Sequence, residues 1–169
     1  MSYTLPELAE DVQKLLSKTP VSECADQLCA VVSKALNDQD FIEQHLTERS
    51  EGEGPRKILF EHSELGFCIC GHVYGGQAIG NPHDHGPSWA IYGQAVGTTE
   101  MIDWEIVELG EGDKPTLVTQ SETYLMNAGD AHFYDVGDVH SPKRDAPTKL
   151  IRLEGENLDN VKRSKIAEA

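Results

Sequence analysis

The first 46 residues carry apolar side chains at the spacing of amphipathic helices. Thr4 and Glu7 form a capping box ahead of a first apolar stripe: Leu5, Leu8, Val12, Leu15, Leu16. Pro20 can begin a second helix, because proline is tolerated in the first helical turn. The apolar residues of this helix lie on one face: Cys24, Leu28, Val31, Val32, Leu36. The stretch DFIEQHL predicts a short third helix, and the polar stretch TERSEGEGP a linker.

From Lys57 onward, short β-branched or aromatic segments alternate with Gly, Pro, Asn and Asp. They are KILFEH, FCICGHVY, SWAIYGQAV, TEMIDWEIVEL, TLVTQ, TYLMN, HFYDV and TKLIRLE. Eight short strands at this spacing predict a mainly β fold, an antiparallel sandwich or a small barrel. We therefore divide the chain into a helical segment (1–50), a barrel (55–155) and a polar, peripheral tail (156–169), all within a single domain.

The length and net charge of the chain limit which kinds of molecule it is expected to bind. A chain of 169 residues suits one domain with a real core, and a net charge of −15 disfavours nucleic acid and anionic membrane surfaces. No apolar run reaches the length of a membrane span, and MSYTLPELAEDVQ lacks the basic and apolar regions of a secretion signal. We expect a cytoplasmic protein that acts on a small molecule, with its four cysteines reduced and packed in the core.

Three histidines stand out as candidate metal ligands. His83 and His85 are one residue apart, so in a strand they would point to the same face, about 7 Å apart. The pair alone also fits a surface or hydrogen-bonded pair of histidines. His140 lies in DVGDVHSPKR after a glycine turn, and three imidazoles are a typical set for a transition metal. Asp84 would face the other way and is not predicted to ligate.

The spacing around these histidines resembles two motifs of the cupin superfamily. The first cupin motif places a glutamate after the His-x-His pair and then a glycine after six intervening residues, where this chain has Ala90 and Gly97. The second motif, Pro-x-Gly-x-x-His, is matched by Gly137 and His140, with Asp135 in the proline position. The resemblance covers residues 57–153. It implies a cupin double-stranded β-helix, a jelly-roll barrel, behind the N-terminal α-helices.

The functional prediction depends on the absence of the cupin glutamate, whose position Ala90 occupies. Alanine cannot ligate a metal, so Ala90 would leave a site of three neutral imidazoles. Such a site has room for a chelating anionic substrate and for dioxygen. Within the cupins this arrangement resembles the thiol dioxygenases, the cysteine dioxygenase family. That resemblance implies an oxidoreductase with Fe(II) on His83, His85 and His140, O2 as co-substrate and Ala90 beside the substrate.

Other family features are absent or displaced. The Ser-x-His-x-Tyr relay is missing from the last strand, TKLIRLEG, which disfavours cysteine as the substrate. Arg56 and Arg152 are the candidate counter-ions for a substrate carboxylate, and each also fits a structural salt bridge. Tyr92 shares strand parity with Ala90 and can donate a hydrogen bond to a bound ligand or pack in the barrel wall.

Two other function classes fit the same residues. One is a Zn, Mn or Ni isomerase, lyase or hydrolase, with Tyr92, Glu100 or His132 as general base. The other is a non-catalytic small-molecule binder. His132 and His72 also fit structural roles at the pocket mouth or wall. By family analogy alone, the chain can form a homodimer through its barrel edges.

Overall fold

The computed structural model describes residues 2–169, and its helices begin and end close to the predicted positions. They are α1 (Leu5–Leu16), α2 (Val21–Leu36) and α3 (Gln39–His45). The capping box is confirmed, because the Thr4 hydroxyl accepts from the Glu7 N–H at 3.4 Å while the Glu7 carboxylate accepts from the Thr4 N–H at 2.8 Å. None of the helices in this part of the chain is both long and apolar enough to cross a membrane.

Ten strands form two five-stranded sheets, in the orders β1-β2-β9-β4-β7 and β10-β6-β5-β8-β3. Their bounds are β1 Arg56–Glu61, β2 Cys68–Tyr74, β3 Ala78–Ile79, β4 Ala90–Val96, β5 Thr99–Glu108, β6 Thr116–Met126, β7 Ala131–Tyr134, β8 Val139–Arg144, β9 Thr148–Glu154 and β10 Ile166–Glu168. The predicted mainly β double-stranded β-helix is confirmed. TLVTQ and TYLMN were predicted as separate strands but form the single strand β6, because its exposed polar middle stays paired with β5.

Alternation along the first sheet separates two different environments. Odd-numbered residues of β2, β4 and β9, such as Ile69, Ile91 and Ile151, join the apolar core that also holds the helices. Even-numbered residues face the barrel interior, where Cys70, Arg152 and Tyr92 lie side by side in register. The sheet is thus covered on both faces, and the buried polar side chains of these three strands, such as Gln94, Arg152 and Glu154, lie on its inner face. The four cysteines are free, and three of them are fully buried.

The polar C-terminal tail is largely exposed, yet it is joined to the barrel. A short 3-10 helix (Leu158–Asn160) leads into β10, which pairs in parallel with β6. On the way the tail crosses the loop that holds the histidine pair, where the Asp84 carboxylate accepts from the Ser164 hydroxyl at 2.6 Å and from its N–H at 3.3 Å. Asp84 also accepts from the Gly86 N–H. It therefore anchors the tail and does not face the histidine cluster.

Candidate metal centre

Backbone pairing brings the candidate ligands together. His83 and His140 exchange two backbone hydrogen bonds of 3.0 Å, which fixes the loop before β4 against the start of β8. His85 lies outside any strand, so the prediction of two ligands on one strand face is wrong, yet both side chains reach the same point. The turn before His140 depends on Gly137, whose φ of +87° is a left-handed conformation that glycine adopts without strain.

The three imidazoles form a compact group of potential ligands. Within residues 2–169 the structure contains one cluster of at least three His, Cys, Asp or Glu side chains able to hold a metal, namely His83, His85 and His140, with ligating atoms within 4.8 Å of one another. The Tyr92 hydroxyl lies among them, at 3.4, 2.9 and 3.1 Å from their respective Nε2 atoms. His85, His140 and Tyr92 are almost completely buried.

Backbone carbonyls fix the tautomer of two of the rings. His83 Nδ1 lies 2.8 Å from the Asn81 carbonyl oxygen and His140 Nδ1 lies 3.2 Å from that of Asp138. A carbonyl only accepts, so both Nδ1 atoms carry the proton and both Nε2 atoms present a lone pair. A backbone acceptor behind each ring is the usual support of a metal-binding histidine.

Hydrogen bonding alone does not satisfy this cluster. At least two Nε2 lone pairs converge on Tyr92, whose single hydroxyl proton can be donated to only one of them. A divalent cation held by His83, His85 and His140 would satisfy all three nitrogens at once. The donor set therefore fits a transition metal held by His83, His85 and His140.

Burial keeps the imidazoles in the neutral form that binds metal. Desolvation, together with a smaller effect of the positive charge of Arg152, lowers the pKa of His83 to about 4 and that of His85 to about 2. Desolvation likewise places the pKa of His140 well below its ordinary value. Near neutral pH the three ligands therefore carry no proton that a metal must displace.

The same shifts predict how the stability of the metal-free protein depends on pH. The unfolded His83 takes up a proton near pH 6.5, whereas the folded side chain does so only near pH 4. The unfolded state binds more protons between these values, so stability is expected to fall as pH drops from about 6.5 to about 4. The free energy of unfolding, measured by urea denaturation at several pH values in this range, should fall less steeply with decreasing pH for His83→Asn than for the wild type. The same pH dependence of stability in both proteins would contradict a lowered pKa of His83 in the folded state.

A carboxylate does lie beside Ala90, but it is already paired. Ala90 is fully buried in β4, and its register partner in β9 is Glu154. The Glu154 side chain is fully buried and accepts two hydrogen bonds from Arg56, from Nη2 at 2.7 Å and from Nε at 3.3 Å. Asp159 binds the third nitrogen of the same guanidinium at 3.0 Å. Arg56, predicted as a substrate counter-ion, has thus committed its donors within the protein.

Two predicted general bases lie away from the cluster. His132 packs against Tyr134, which in turn stacks on His140 with ring centroids 3.8 Å apart, so Tyr134 separates His132 from the three imidazoles. His132 lines a different cavity, on the far side of Tyr134. Glu100 contacts Lys143 at 3.5 Å on the outer face of β5. The structure does not bring Glu100 to the site, and it places His132 behind Tyr134.

Arginines line a second cavity, which reaches His83. Arg152, predicted as a counter-ion, lies here with its guanidinium carbon 3.9 Å from the centroid of the Tyr92 ring. Sequence reasoning missed Arg144, which is almost fully buried in the same cavity. The signal was available, because Arg144 shares strand parity with His140 in β8. His72, whose position facing a pocket was considered, lies here too.

Several solved structures are similar to part of this chain. KdgF from Halomonas sp. aligns with 18% identity over 68% of this chain and 94% of its own, with a TM-score of 0.48. A protein with a double-stranded β-helix domain from Klebsiella pneumoniae aligns with 15% identity over 72% of this chain and 85% of its own, with a TM-score of 0.49. The DMSP lyase DddQ from Ruegeria pomeroyi aligns with 15% identity over 64% of this chain and 49% of its own, with a TM-score of 0.46.

Neither a family model nor a curated protein matches the chain. Fold and site together define a double-stranded β-helix protein with a three-histidine cluster suited to a metal ion.

Proposed function

We propose that the protein is a non-haem Fe(II) dioxygenase of a small chelating substrate, a thiol or a β-dicarbonyl, bound at His83, His85 and His140. The observation that supports this reaction is the neutral ligand set, three imidazoles with the neighbouring Glu154 held by Arg56. Neutral ligands leave the ion its full positive charge, which favours an anionic substrate as the partner that completes the site. Bound Fe(II) supplies redox chemistry and open coordination positions.

The chain's own residues have separate tasks in this proposal. The backbone carbonyls of Asn81 and Asp138 orient the His83 and His140 rings. Tyr92 holds a proton beside all three Nε2 atoms, and burial raises the pKa of its hydroxyl, so it stays a phenol at neutral pH and can donate a hydrogen bond to a bound ligand. The fully buried neighbours of Tyr92, among them Met101, keep bulk water away.

Oxygen consumption tests the reaction. Protein loaded with Fe(II) under anaerobic conditions is mixed with air-saturated buffer and a panel of small thiols and β-dicarbonyls, and oxygen uptake is recorded. Uptake that depends on both iron and one class of substrate supports the proposal. The His140→Ala protein in the same buffer serves as the control for free iron. Absence of uptake with every member of the panel would overturn it.

A second candidate uses the same cluster without oxygen. The contact of one buried hydroxyl, that of Tyr92, with all three imidazoles also suits a Zn, Mn or Ni centre. There Tyr92 would exchange a proton with a substrate polarised by the metal. Turnover by the zinc-loaded protein under anaerobic conditions, lost in Tyr92→Phe with metal retained, would favour this isomerase, lyase or hydrolase. The iron form of that enzyme would consume no oxygen.

A further inference from the structure

His85 differs from the other two histidines of the cluster, because nothing supports its ring from behind. Backbone carbonyls accept from Nδ1 of His83 and of His140, whereas Nδ1 of His85 is buried and has no hydrogen-bond partner. His85 also lies outside the strands. Since neither strand pairing nor an acceptor behind the ring holds this side chain, its position relative to the other ligands is set mainly by the backbone of residues 84–86.

Asp84 holds this backbone by three hydrogen bonds. Its carboxylate accepts from the Gly86 N–H at 3.1 Å, from the Ser164 N–H at 3.3 Å and from the Ser164 hydroxyl at 2.6 Å. Asp84 is only 7% exposed, so water competes little for these bonds. Ser164 is 80 residues further along the chain. The residues on both sides of His85 are thus tied to a contact with the C-terminal tail.

The tail also approaches this loop closely. Gly86 has a φ of +60°, a left-handed conformation, and a Cβ added there would lie 2.7 Å from the Lys162 carbonyl oxygen. Glycine is therefore required at position 86 both for the turn and for the passage of the tail. We call residues 155–165, which cross the loop at this point, the C-terminal strap.

Both ends of the strap are joined to the barrel. At its start, the Gly155 N–H donates to the Trp89 carbonyl oxygen at 3.0 Å, and the Glu156 N–H donates to the Ser88 hydroxyl oxygen at 3.2 Å. At its end, the Lys165 carbonyl oxygen accepts from a backbone N–H of β6 at 2.8 Å, where the pairing of β10 with β6 begins. Between these two attachments the strap crosses the loop that holds the histidine pair.

We propose that Asp84 is a positioning residue of the metal centre, which places His85 by binding the C-terminal strap. The strap and the metal are then coupled. A loop held in the ligating arrangement binds an ion more tightly, and a bound ion stabilises the arrangement of the loop to which the strap binds. Such coupling is reciprocal, so the metal strengthens docking of the strap by the same factor by which the docked strap strengthens metal binding. The inference rests on the three-histidine metal centre and not on the reaction performed there.

Zinc binding by variants of Asp84 tests this role. Each protein is stripped of metal and titrated with Zn²⁺ against a competing chelator. Asp84→Ala loses all three acceptor contacts and is expected to weaken zinc binding about 10–100-fold, the usual cost of removing the support of a ligand. Asp84→Asn is the matched control and should bind zinc as the wild type does. Its amide oxygen can accept from both N–H groups, while its NH₂ donates to the Ser164 hydroxyl oxygen. Ser164→Ala, which keeps the N–H contact, should lie between the wild type and Asp84→Ala.

Trypsin provides a second measurement, made on the wild-type chain. The strap carries three exposed cleavage sites: Lys162, Arg163 and Lys165. Because cleavage requires local release of the strap, zinc should slow it at these sites about ten-fold or more. Cleavage after Lys18, in the exposed turn between α1 and α2, should proceed at the same rate with and without zinc. Mass spectrometry of the fragments gives the rate at each site.

Three results would overturn the proposal. One is a folded Asp84→Ala protein that binds zinc as tightly as the wild type. Another is an equal loss in Asp84→Ala and Asp84→Asn, which would mean that Asp84 acts through its charge. The third is cleavage of the strap at the same rate with and without zinc. If Asp84→Ala does not fold, Ser164→Ala decides the question, because Ser164 is exposed and an unchanged zinc affinity would refute the coupling. Coupling of the strap to zinc in a protein that consumes no oxygen would refute the proposed reaction alone.

Discussion

Replacing His140 with alanine is expected to reduce bound metal from about one ion per chain to less than about a tenth. His140 is fully buried, pairs with His83 through two backbone hydrogen bonds and supplies one of the three converging nitrogens. Loss of a partner behind a ligand already costs 10–100-fold in metal affinity, so loss of a ligand itself should cost more. Elemental analysis of protein purified with the same metal supply measures the effect.

His132→Ala is the control for this experiment. His132 is a histidine close to the cluster, yet Tyr134 separates it from the three ligands. It should retain the wild-type metal content, and circular dichroism should show that both variants are folded. Metal retained by a folded His140→Ala protein, or lost equally from both variants, would mean that the cluster is not the binding site.

Replacing Arg56 with methionine is expected to lower the free energy of unfolding by about 3–5 kcal/mol, the cost of leaving a buried charge without its partner. Glu154 is fully buried, and it would lose both Arg56 nitrogens that now donate to its carboxylate and keep only the Cys70 thiol at 3.6 Å. The opposite change, Glu154→Gln, should cost less, because the Arg56 side chain is 20% exposed and can turn to water. Urea unfolding at pH 7 measures both values.

This asymmetry also separates two roles for Arg56. If its task is to compensate Glu154, the double variant Arg56→Met, Glu154→Gln should regain most of the stability lost in Arg56→Met, because no buried charge is left unpaired. A fully stable Arg56→Met protein with a raised KM in the oxygen-uptake assay would instead make Arg56 a substrate-binding residue.

Much of the architecture follows from local sequence patterns. Thr4 and Glu7 mark the start of α1 because a capping box acts within one helical turn. The grouping of three histidines could also be predicted, since the His83–His85 pair and the spacing to His140 are properties of the chain itself. The pair lies in a loop, so strand alternation was the wrong reason for a correct grouping.

The charge pairing of the site could not be predicted in the same way. Arg56 and Arg152 look equivalent in sequence, yet Arg56 is bound by Glu154, 98 residues away. Arg152 lies over Tyr92, which comes from a neighbouring strand. Which arginine is paired with a carboxylate is therefore a property of strand order. The contact of the tail with the barrel could not be predicted for the same reason, because Ser164 meets Asp84 only in the folded barrel.

The central claim is a metal centre with three histidines and no carboxylate from the protein. An anomalous difference map from crystals of iron-loaded protein, measured above the iron absorption edge, tests it most directly. The account predicts one strong peak per chain, bounded by the Nε2 atoms of His83, His85 and His140, with no aspartate or glutamate oxygen in the coordination sphere. A peak ligated by Glu154, or no peak at the three histidines, would contradict it.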